Sequence, residues 1–397
     1  MSSQKLVLPI IVLAQFCCTS LWFASNGVMG DLITNFNLDT NALGNLTAAV
    51  QFGFISGTLI FAIFTIADRF SPSKVFFISA LLGAFLNSCI IWEGNSLSTL
   101  LILRFSIGFF LAGIYPIGMK IATDYFEKGL GKSLGFLVGA LVIGTAFPHL
   151  LKEITGDFSW KTVIITTSLL AIFGGLLIFL LVPDGPFRKG STNSDAGTFF
   201  KVFKNNKFRS AAFGYFGHMW ELYTFWAFVP LMLKTYNELH ASTSFNIPLL
   251  SFVIIGSGGL ACIVAGFISE KIGAEKTAFI ALLLSCFCCL ISGMIFSSTS
   301  DILFVAFLIF WGIVVVADSP LFSALVAQNV PAEAKGTALT IVNSIGYLIT
   351  IISIQLISLV KEFALSNNIY VLLAIGPILG LIALSKKKMN KKIQFKT

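Results

Sequence analysis

The sequence predicts an all-α polytopic membrane protein with twelve transmembrane helices, arranged as two pseudo-symmetric six-helix bundles. Of its 397 residues, 56% are hydrophobic and only 11% are charged, whereas soluble globular proteins carry about 25% charged residues. Apolar runs of about 20 residues, long enough to cross a bilayer as helices, recur along the whole chain. A charged loop motif also occurs once in each half of the chain, which indicates a duplicated unit.

The first apolar run follows Lys5 and continues to about Gly30. It has no small-residue cleavage site, so it is predicted to be a spanning helix rather than a cleaved signal peptide. Further runs follow in order along the chain. The twelve predicted spans are approximately 6–30, 42–66, 74–92, 98–122, 132–151, 160–182, 210–233, 247–269, 277–296, 301–326, 336–360 and 369–385.

One long polar segment, Pro183 to Arg209, separates the first six predicted helices from the last six. We therefore expect three regions: an N-terminal six-helix bundle over 1–182, a cytoplasmic linker over 183–209, and a C-terminal six-helix bundle with a basic cytoplasmic tail over 210–397.

The distribution of Lys and Arg predicts the orientation of the chain, because positive residues are retained on the cytoplasmic side. With the N-terminus inside, 21 of the 26 basic residues fall in inner segments and four in outer ones, and Arg104 remains within a span. Both termini are therefore predicted to be cytoplasmic. The same distribution explains the net charge of +8 as a topology signal with attraction to anionic lipid. It argues against nucleic-acid binding.

The cysteines and the few histidines give no sign of a metal site or cofactor. All seven cysteines lie in apolar runs without metal-ligand spacing to histidine, so they are interpreted as small hydrophobic residues. No metal and no cofactor is expected.

The halves of the chain match each other at two places. At an offset of 202 residues, an acidic residue matches an acidic one and a basic residue a basic one, and at an offset of 204 a proline matches a proline. The pairs are Asp68 with Glu270, Arg69 with Lys271, Lys74 with Lys276, and Pro116 with Pro320. Parallel duplication of a six-helix unit is a recurring transporter architecture, with the solute site between the repeats.

On these motifs the chain resembles the major facilitator superfamily over essentially its whole length. The Gly-x-x-x-Asp/Glu-Arg/Lys-x-Gly loop of that family is complete from Gly266 to Gly273, whereas the first copy has Phe64 and Ser71 in place of the glycines. The arginine early in the fourth helix, followed by spaced small residues, is also present at Arg104. The resemblance implies alternating access, a monomer, and helices 1, 4, 7 and 10 around a central cavity.

The resemblance also implies a role for the charged loops. In the family they act as a cytoplasmic latch, and the matching residues here are Asp68, Arg69, Glu270 and Lys271. The alternative is that these charges only fix topology. The fifth-helix motif of family exporters is incomplete here, since Gly135 and Gly144 match but proline comes one position early, at Pro148. The direction of transport is therefore left open.

Three ionisable groups near the middle of the C-terminal half are candidates for proton coupling. Glu221 lies about twelve residues into the seventh span, near the bilayer midplane at about 1.5 Å per residue, and His218 is three positions earlier on the same face. Asp318 lies just past midplane in the tenth span. Intramembrane charges are costly and usually face a bundle interior or a wet cavity. The alternatives are a structural carboxyl at Glu221, a His218 that only hydrogen-bonds Glu221, and an Asp318 that bonds backbone near Pro320.

Polar and aromatic residues on the cavity-lining helices are the candidates for solute binding. Arg104 has no basic counterpart in the second repeat, so it is expected to anchor solute or to pair with a charge. The other candidates share helix faces on the first, fourth and eleventh spans: Gln15, Trp22, Asn26, Tyr115, Asn343 and Tyr347.

The sequence therefore predicts a proton-coupled secondary transporter of a small organic solute in the bacterial inner membrane. Its expected partners are the solute, protons and lipid. A uniporter remains the alternative if both carboxyls are structural. A non-transporting sensor with a transporter fold would require a soluble domain or a large exposed loop. An intramembrane hydrolase would need a nucleophile with a base, or metal ligands at helical spacing, and no such set accompanies His218 and Glu221.

Overall fold

The computed structural model describes residues 2–39, 41–126, 130–156, 158–188, 203–240, 243–330, 335–363 and 367–394. In these ranges every regular element is a helix, and the predicted all-α architecture is confirmed. The middle of the predicted linker, 189–202, lies outside the described residues, as do the side chains of the basic tail from 386 onward.

Six helices form the first half of the chain, and two of them are interrupted. α1 (Ser2–Thr19) is followed by short helices at Ala24–Gly27 and Met29–Asn35. The others are α2 (Ala42–Ile63), α3 (Pro72–Ser88), α4a (Leu97–Leu111) with α4b (Tyr115–Tyr125), α5 (Leu130–Thr155) and α6 (Lys161–Leu181).

The second half repeats this order with a break in its fourth helix. It contains α7 (Asn206–Leu239), α8 (Ile247–Ile272), α9 (Ala274–Phe296), α10a (Asp301–Val314) with α10b (Ser319–Gln328), α11 (Lys335–Phe363), and α12 (Ile375–Gln394), which is preceded by a 3-10 helix at Asn367–Ala374.

Among the described residues, ten helices are long and apolar enough to cross a membrane by length and composition. α1 and α7 are the two predicted spans outside that set. The apolar part of α1, Leu6–Thr19, is short because the helix stops at Thr19, rather than running to residue 30 as predicted. α7 is longer than predicted, and it carries His218 and Glu221 in its middle, which lowers its hydropathy.

The three helix breaks have local causes. At the end of α1, the hydroxyls of Thr19 and Ser20 donate to the carbonyl oxygens of Gln15 and Cys17 at 2.8 and 2.7 Å, which competes with continued helix. α4b and α10b each begin with a proline in the first helical turn. Proline has no N–H to bond the carbonyl oxygen four residues earlier, and its ring clashes with that carbonyl, so the helix is interrupted in the turn before each proline.

The two halves meet along a surface that we call the seam, formed mainly by α5 against α8, α2 against α11, and the end of α1 against α7. We call the side of the bundle that carries both termini the terminal side, and the opposite side the far side. Two polar contacts join the halves toward the far side: Asn246 donates to Glu153 at 2.7 Å and Gln355 donates to Asn45 at 3.3 Å.

The α5–α8 contact depends on two facing glycines. A Cβ atom at Gly139 would lie 2.8 Å from the Gly259 carbonyl oxygen, and one at Gly259 would lie 3.0 Å from the Gly139 carbonyl oxygen. Only glycine allows the two backbones to approach this closely, as at small-residue interfaces between membrane helices.

The two charged loops differ in backbone where the motif differs in sequence. Gly273, the last glycine of the complete copy, has φ +89°, a conformation that glycine adopts without steric cost. Its counterpart Ser71 has φ −58°, and the left-handed residue of that loop is instead Thr65 at φ +49°. Ser71 donates to Asp184 at 2.6 Å, which ties the first loop to the start of the linker.

We expect Gly139→Val to force α5 and α8 apart. The added side chain would overlap the α8 backbone, and overpacking of this kind costs about 1–3 kcal/mol. The matched control is Gly256→Ala on α8, whose Cβ would have its nearest neighbour at 3.6 Å. Thermal unfolding of the purified protein should show a lower melting temperature for Gly139→Val only. Equal effects of both substitutions would contradict the close approach.

Candidate functional site

Glu221 lies inside the C-terminal half, in a pocket of hydrogen-bond donors. Its side chain is fully buried, and three donors point at its carboxyl group. Trp311 Nε1 donates to Oε1 at 2.5 Å, Cys289 Sγ to Oε1 at 3.2 Å and Ser285 Oγ to Oε2 at 2.9 Å. α9 supplies two of these donors and α10a the third. Cys289 is therefore more than the small hydrophobic residue expected from the sequence.

His218 pairs with Asp318 rather than with Glu221. Nδ1 of the imidazole lies 2.7 Å from Asp318 Oδ1, and both side chains are 1% exposed. The two atoms are within ion-pair distance but are not aligned as a hydrogen bond. The alternative in which His218 only hydrogen-bonds Glu221 is therefore not the arrangement in this structure. The i, i+3 spacing places both residues on one face of α7, but the His218 ring turns toward the break in α10.

α7 thus binds α10 on both sides of its break. Glu221 contacts Trp311 in α10a, and His218 contacts Asp318 at the residue that precedes α10b. Cys262 of α8 bonds the carbonyl oxygen of Val316, within the break, at 3.4 Å. The position and angle of the two α10 segments therefore depend on buried side chains of neighbouring helices.

Arg104 bonds backbone rather than a carboxylate. It is 1% exposed, and its guanidinium donates to the carbonyl oxygens of Leu21 and Trp22 at 3.2 and 2.5 Å. These carbonyls are freed where α1 stops. Within the described part of the chain no ion pair of Arg104 occurs. Arg104 holds the break of α1, and its expected role as a solute anchor stays a prediction.

Two of the predicted solute-binding residues meet at the seam. The Trp22 ring stacks near the rings of Tyr223 and Tyr347, each at a centroid distance of 5.7 Å, and packs on Phe54 at 4.8 Å. The hydroxyls of Tyr223 and Tyr347 are 2.8 Å apart. This cluster joins α2, α7, α11 and the broken end of α1 in the middle of the protein.

The other predicted binding residues surround this cluster without joining it. Asn26 donates to Thr47 of α2 at 2.9 Å. Gln15 is fully buried, lies against Gly118 of α4b, and neither polar atom of its amide has a hydrogen-bond partner. Tyr115 and Asn343 are half-buried. The break between α4a and α4b lies between Arg104 and Tyr115, so these two residues are not on one continuous helix.

The predicted latch residues lie on the terminal side. Arg69, Glu270 and Lys271 are exposed, and no ion pair of theirs is found among the described side chains. The side chain of Asp68 lies outside the described residues. Their role as a latch stays a prediction.

Sequence reasoning missed several residues of this region. Gln51, Tyr223 and Trp226 are fully or almost fully buried polar or aromatic groups at the seam. Gln51 could have been identified from the sequence, because an amide in the middle of an apolar span needs a hydrogen-bond partner. Ser285 could not, because only the tertiary structure distinguishes a serine that faces Glu221 from the other small residues of α9.

The chain matches known proteins along most of its length. A family model described as Major Facilitator Superfamily matches residues 11–354. A curated relative, "Putative niacin/nicotinamide transporter NiaP" of Bacillus subtilis (strain 168), is 25% identical over 164 residues, which is 40% of this chain and 39% of the relative. The alignment therefore spans about two fifths of that relative's length.

Two solved structures resemble the whole chain. The proton:xylose symporter XylE, bound to 6-bromo-6-deoxy-D-glucose, aligns with a TM-score of 0.75 at 15% identity over 97% of this chain and 96% of that one. The nucleoside transporter NupG aligns with a TM-score of 0.72 at 17% identity over 96% of this chain and 99% of that one. At this identity the likeness concerns the fold, and the predicted twelve-helix, two-bundle fold is confirmed.

A double-mutant cycle should report the pairing that the structure contains. We expect His218→Ala and Asp318→Ala to be coupled in stability by about 0.5–3 kcal/mol, the range for residues in direct contact. The control cycle combines His218→Ala with Glu221→Ala, two residues with no hydrogen bond or ion pair between them in the described structure, and should show coupling near zero. Equilibrium unfolding of the three single variants, the two double variants and the parent in mixed detergent gives both values. Stronger coupling in the control cycle would contradict the pairing.

Proposed function

The chain belongs to the Major Facilitator Superfamily, and from that premise we propose that it is a secondary transporter. It moves a small organic solute across the bilayer by alternating access, with proton movement coupled to solute movement. The relatives named above support a small organic solute, since their names refer to niacin or nicotinamide, xylose and nucleosides.

The observation that carries the proton coupling is the double attachment of α7 to α10. Two buried titratable contacts, Glu221 with Trp311 and His218 with Asp318, hold the two segments of a broken helix. A change in the charge of either carboxyl alters the contact that holds one segment. Proton binding and the angle of α10 are in this way linked through the same interactions.

The surroundings of Glu221 accommodate both of its charge states. Ser285 has one hydroxyl proton and two acceptors within reach, Glu221 Oε2 at 2.9 Å and Leu282 O at 3.1 Å. When Glu221 is ionised, Ser285 donates to it. When Glu221 is protonated, its own O–H donates to the Ser285 oxygen, and Ser285 turns its proton to Leu282. The contact between Glu221 and Ser285 therefore keeps a hydrogen bond in both charge states.

The position of α7 connects this proton site to the seam. Tyr223, two residues after Glu221, contacts Trp22 of the other half and shares a hydrogen bond with Tyr347. A tilt of α7 against α10 therefore changes the contact between the halves. A ligand or proton shifts a two-state equilibrium by its difference in affinity for the two states, and Glu221, His218 and Asp318 are the groups through which we propose that protons do so.

We propose that both termini are cytoplasmic, with a bacterial inner membrane as location, because the basic residues of the chain are concentrated on the terminal side. The two six-helix bundles then rock about the seam. Asp68, Arg69, Glu270 and Lys271 would form ion pairs at that side when it closes. Arg104, Gln15, Trp22, Asn26, Tyr115, Asn343 and Tyr347 are proposed to act in or beside the solute site.

Glu221→Gln should abolish the coupling of solute movement to protons, because the amide keeps the shape of the carboxyl but carries no exchangeable charge. The measurement is accumulation in proteoliposomes, driven by an imposed pH gradient, of whichever of radiolabelled nicotinamide, nicotinate, xylose or uridine the parent protein takes up. The control is Glu93→Gln, on an exposed loop. Unchanged gradient-driven accumulation in Glu221→Gln would refute the role of Glu221 in proton coupling. Uptake by the parent protein that does not respond to the pH gradient would leave facilitated diffusion as the function.

Alternating access requires the far-side contacts between the halves to separate. We expect a short bis-methanethiosulfonate cross-link between Asn45→Cys and Gln355→Cys, whose native side-chain tips are 3.3 Å apart, to stop transport, and reduction of the cross-link to restore it. The control cross-link joins Glu93→Cys to Lys161→Cys, whose native side-chain tips form a 2.8 Å contact within the first half, and should leave transport intact. Full transport by the cross-linked Asn45→Cys, Gln355→Cys protein would exclude opening at this point.

A further inference from the structure

Five aromatic rings from three helices and the break after α1 form a continuous group at the seam, which we call the seam cluster: Trp22, Phe54, Tyr223, Trp226 and Tyr347. Each ring is at most 4% exposed. Successive centroids are 4.6 to 5.7 Å apart, and Trp22 is nearly parallel to Tyr223 and Tyr347, at 29° and 22°. Parallel rings present flat faces to one another, which suits a planar guest that slides between or beside them.

Unpartnered polar atoms border the seam cluster. The indole nitrogens of Trp22 and Trp226, both amide atoms of Gln51 and the Oδ1 atom of Asn26 are buried without a hydrogen-bond partner in the described structure. Gln51 lies one helical turn from Thr47, which Asn26 contacts, and one turn from Phe54, so it faces the same space. A buried polar atom without a partner costs about 1–3 kcal/mol, so several in one place call for an explanation.

The unpartnered atoms of the seam cluster are all neutral, and the ionisable side chains nearby already have contacts. Arg104 donates to two backbone carbonyls at the break of α1 and has only its Nε atom without a partner, Glu221 is held by three donors, and His218 lies 2.7 Å from Asp318. The seam cluster therefore offers neutral donors and acceptors beside flat rings. These atoms give a charged solute no partner of opposite charge, and removing such a solute from water without one is strongly unfavourable.

We propose that the seam cluster is a binding site for an uncharged, planar heteroaromatic solute. The two indole N–H groups and the Gln51 amide bind the polar edge of the solute, and the Trp22, Tyr223 and Tyr347 rings stack on its face. This assignment rests on the proposed transport function and names the solute class. It explains why these rings come from both halves of the protein, because a guest between them couples its own binding to the separation of the halves.

The class of solute is tested with three probes that separate charge from shape. Nicotinamide is uncharged and planar, nicotinate has the same ring with a carboxylate, and xylose is uncharged without an aromatic ring. Binding to the detergent-purified protein is measured by isothermal calorimetry and by the shift in melting temperature. We expect nicotinamide to bind and to raise the melting temperature, and nicotinate and xylose to bind at least tenfold more weakly.

Two substitutions test the assigned atoms. Trp226→Phe keeps a ring and removes the N–H, and Gln51→Leu keeps the volume and removes the amide. Each should weaken nicotinamide binding about 3- to 10-fold, the effect of one hydrogen bond of about 0.5–1.5 kcal/mol. The matched control is Trp92→Phe, on a ring that is 67% exposed, which should leave binding unchanged. A normal melting temperature without ligand verifies that each variant is folded.

Three results would overturn the assignment: nicotinate or xylose binding as tightly as nicotinamide, no binding of nicotinamide, or full-strength binding by both Trp226→Phe and Gln51→Leu. The binding measurement needs no proton gradient, so it is independent of the proposed coupling. If nicotinamide binds but moves without any response to pH, the coupling fails and the solute class stands. If the pH gradient drives accumulation of a probe other than nicotinamide, and Glu221→Gln abolishes that accumulation, the proposed proton coupling stands and the proposed solute class fails.

Discussion

A helix that breaks inside a bilayer must find new partners for the backbone groups it frees, because hydrocarbon supplies none. In this protein the rest of the structure follows from that constraint. Arg104 takes the free carbonyls of Leu21 and Trp22 at the break of α1, and Cys262 bonds Val316 at the break of α10. A buried guanidinium and a buried thiol are in these positions because the alternative is an unpaired carbonyl in the membrane.

The break of α1 lies at the seam, and the break of α10 lies beside the buried carboxyl groups. The broken end of α1 carries Trp22 into contact with the other half, and the break of α10 separates Trp311 from Asp318 so that α7 holds each segment independently. A continuous helix would transmit any tilt as a rigid rod. Two segments held by separate side chains can change their angle when one of those contacts changes.

Each ionisable group within the membrane has a neighbour that lowers the free-energy cost of burying it. The four groups, Arg104, Glu221, His218 and Asp318, have two kinds of contact. Arg104 donates to backbone carbonyl oxygens, so in this conformation it stabilises the break of α1. Glu221 has only neutral donors around it, and His218 lies against Asp318. The groups proposed to exchange a proton thus lie in the C-terminal half, whereas the aromatic rings of the seam cluster come from both halves. The proposed proton site and the proposed solute site are neighbours on α7 and consist of different residues.

The sequence by itself determined the helices, their duplication and the candidates for function. Each span is set by its own hydropathy, and the charged loops and Pro116 with Pro320 mark the repeat, so local information suffices. It also identified Glu221, Asp318 and Arg104, because a charge in an apolar span stands out. Only the tertiary structure decided their partners. Helical spacing allowed His218 to reach Glu221, but the neighbouring helices α9 and α10 supplied better-placed groups to both, and no pattern within α7 records what another helix brings to its face.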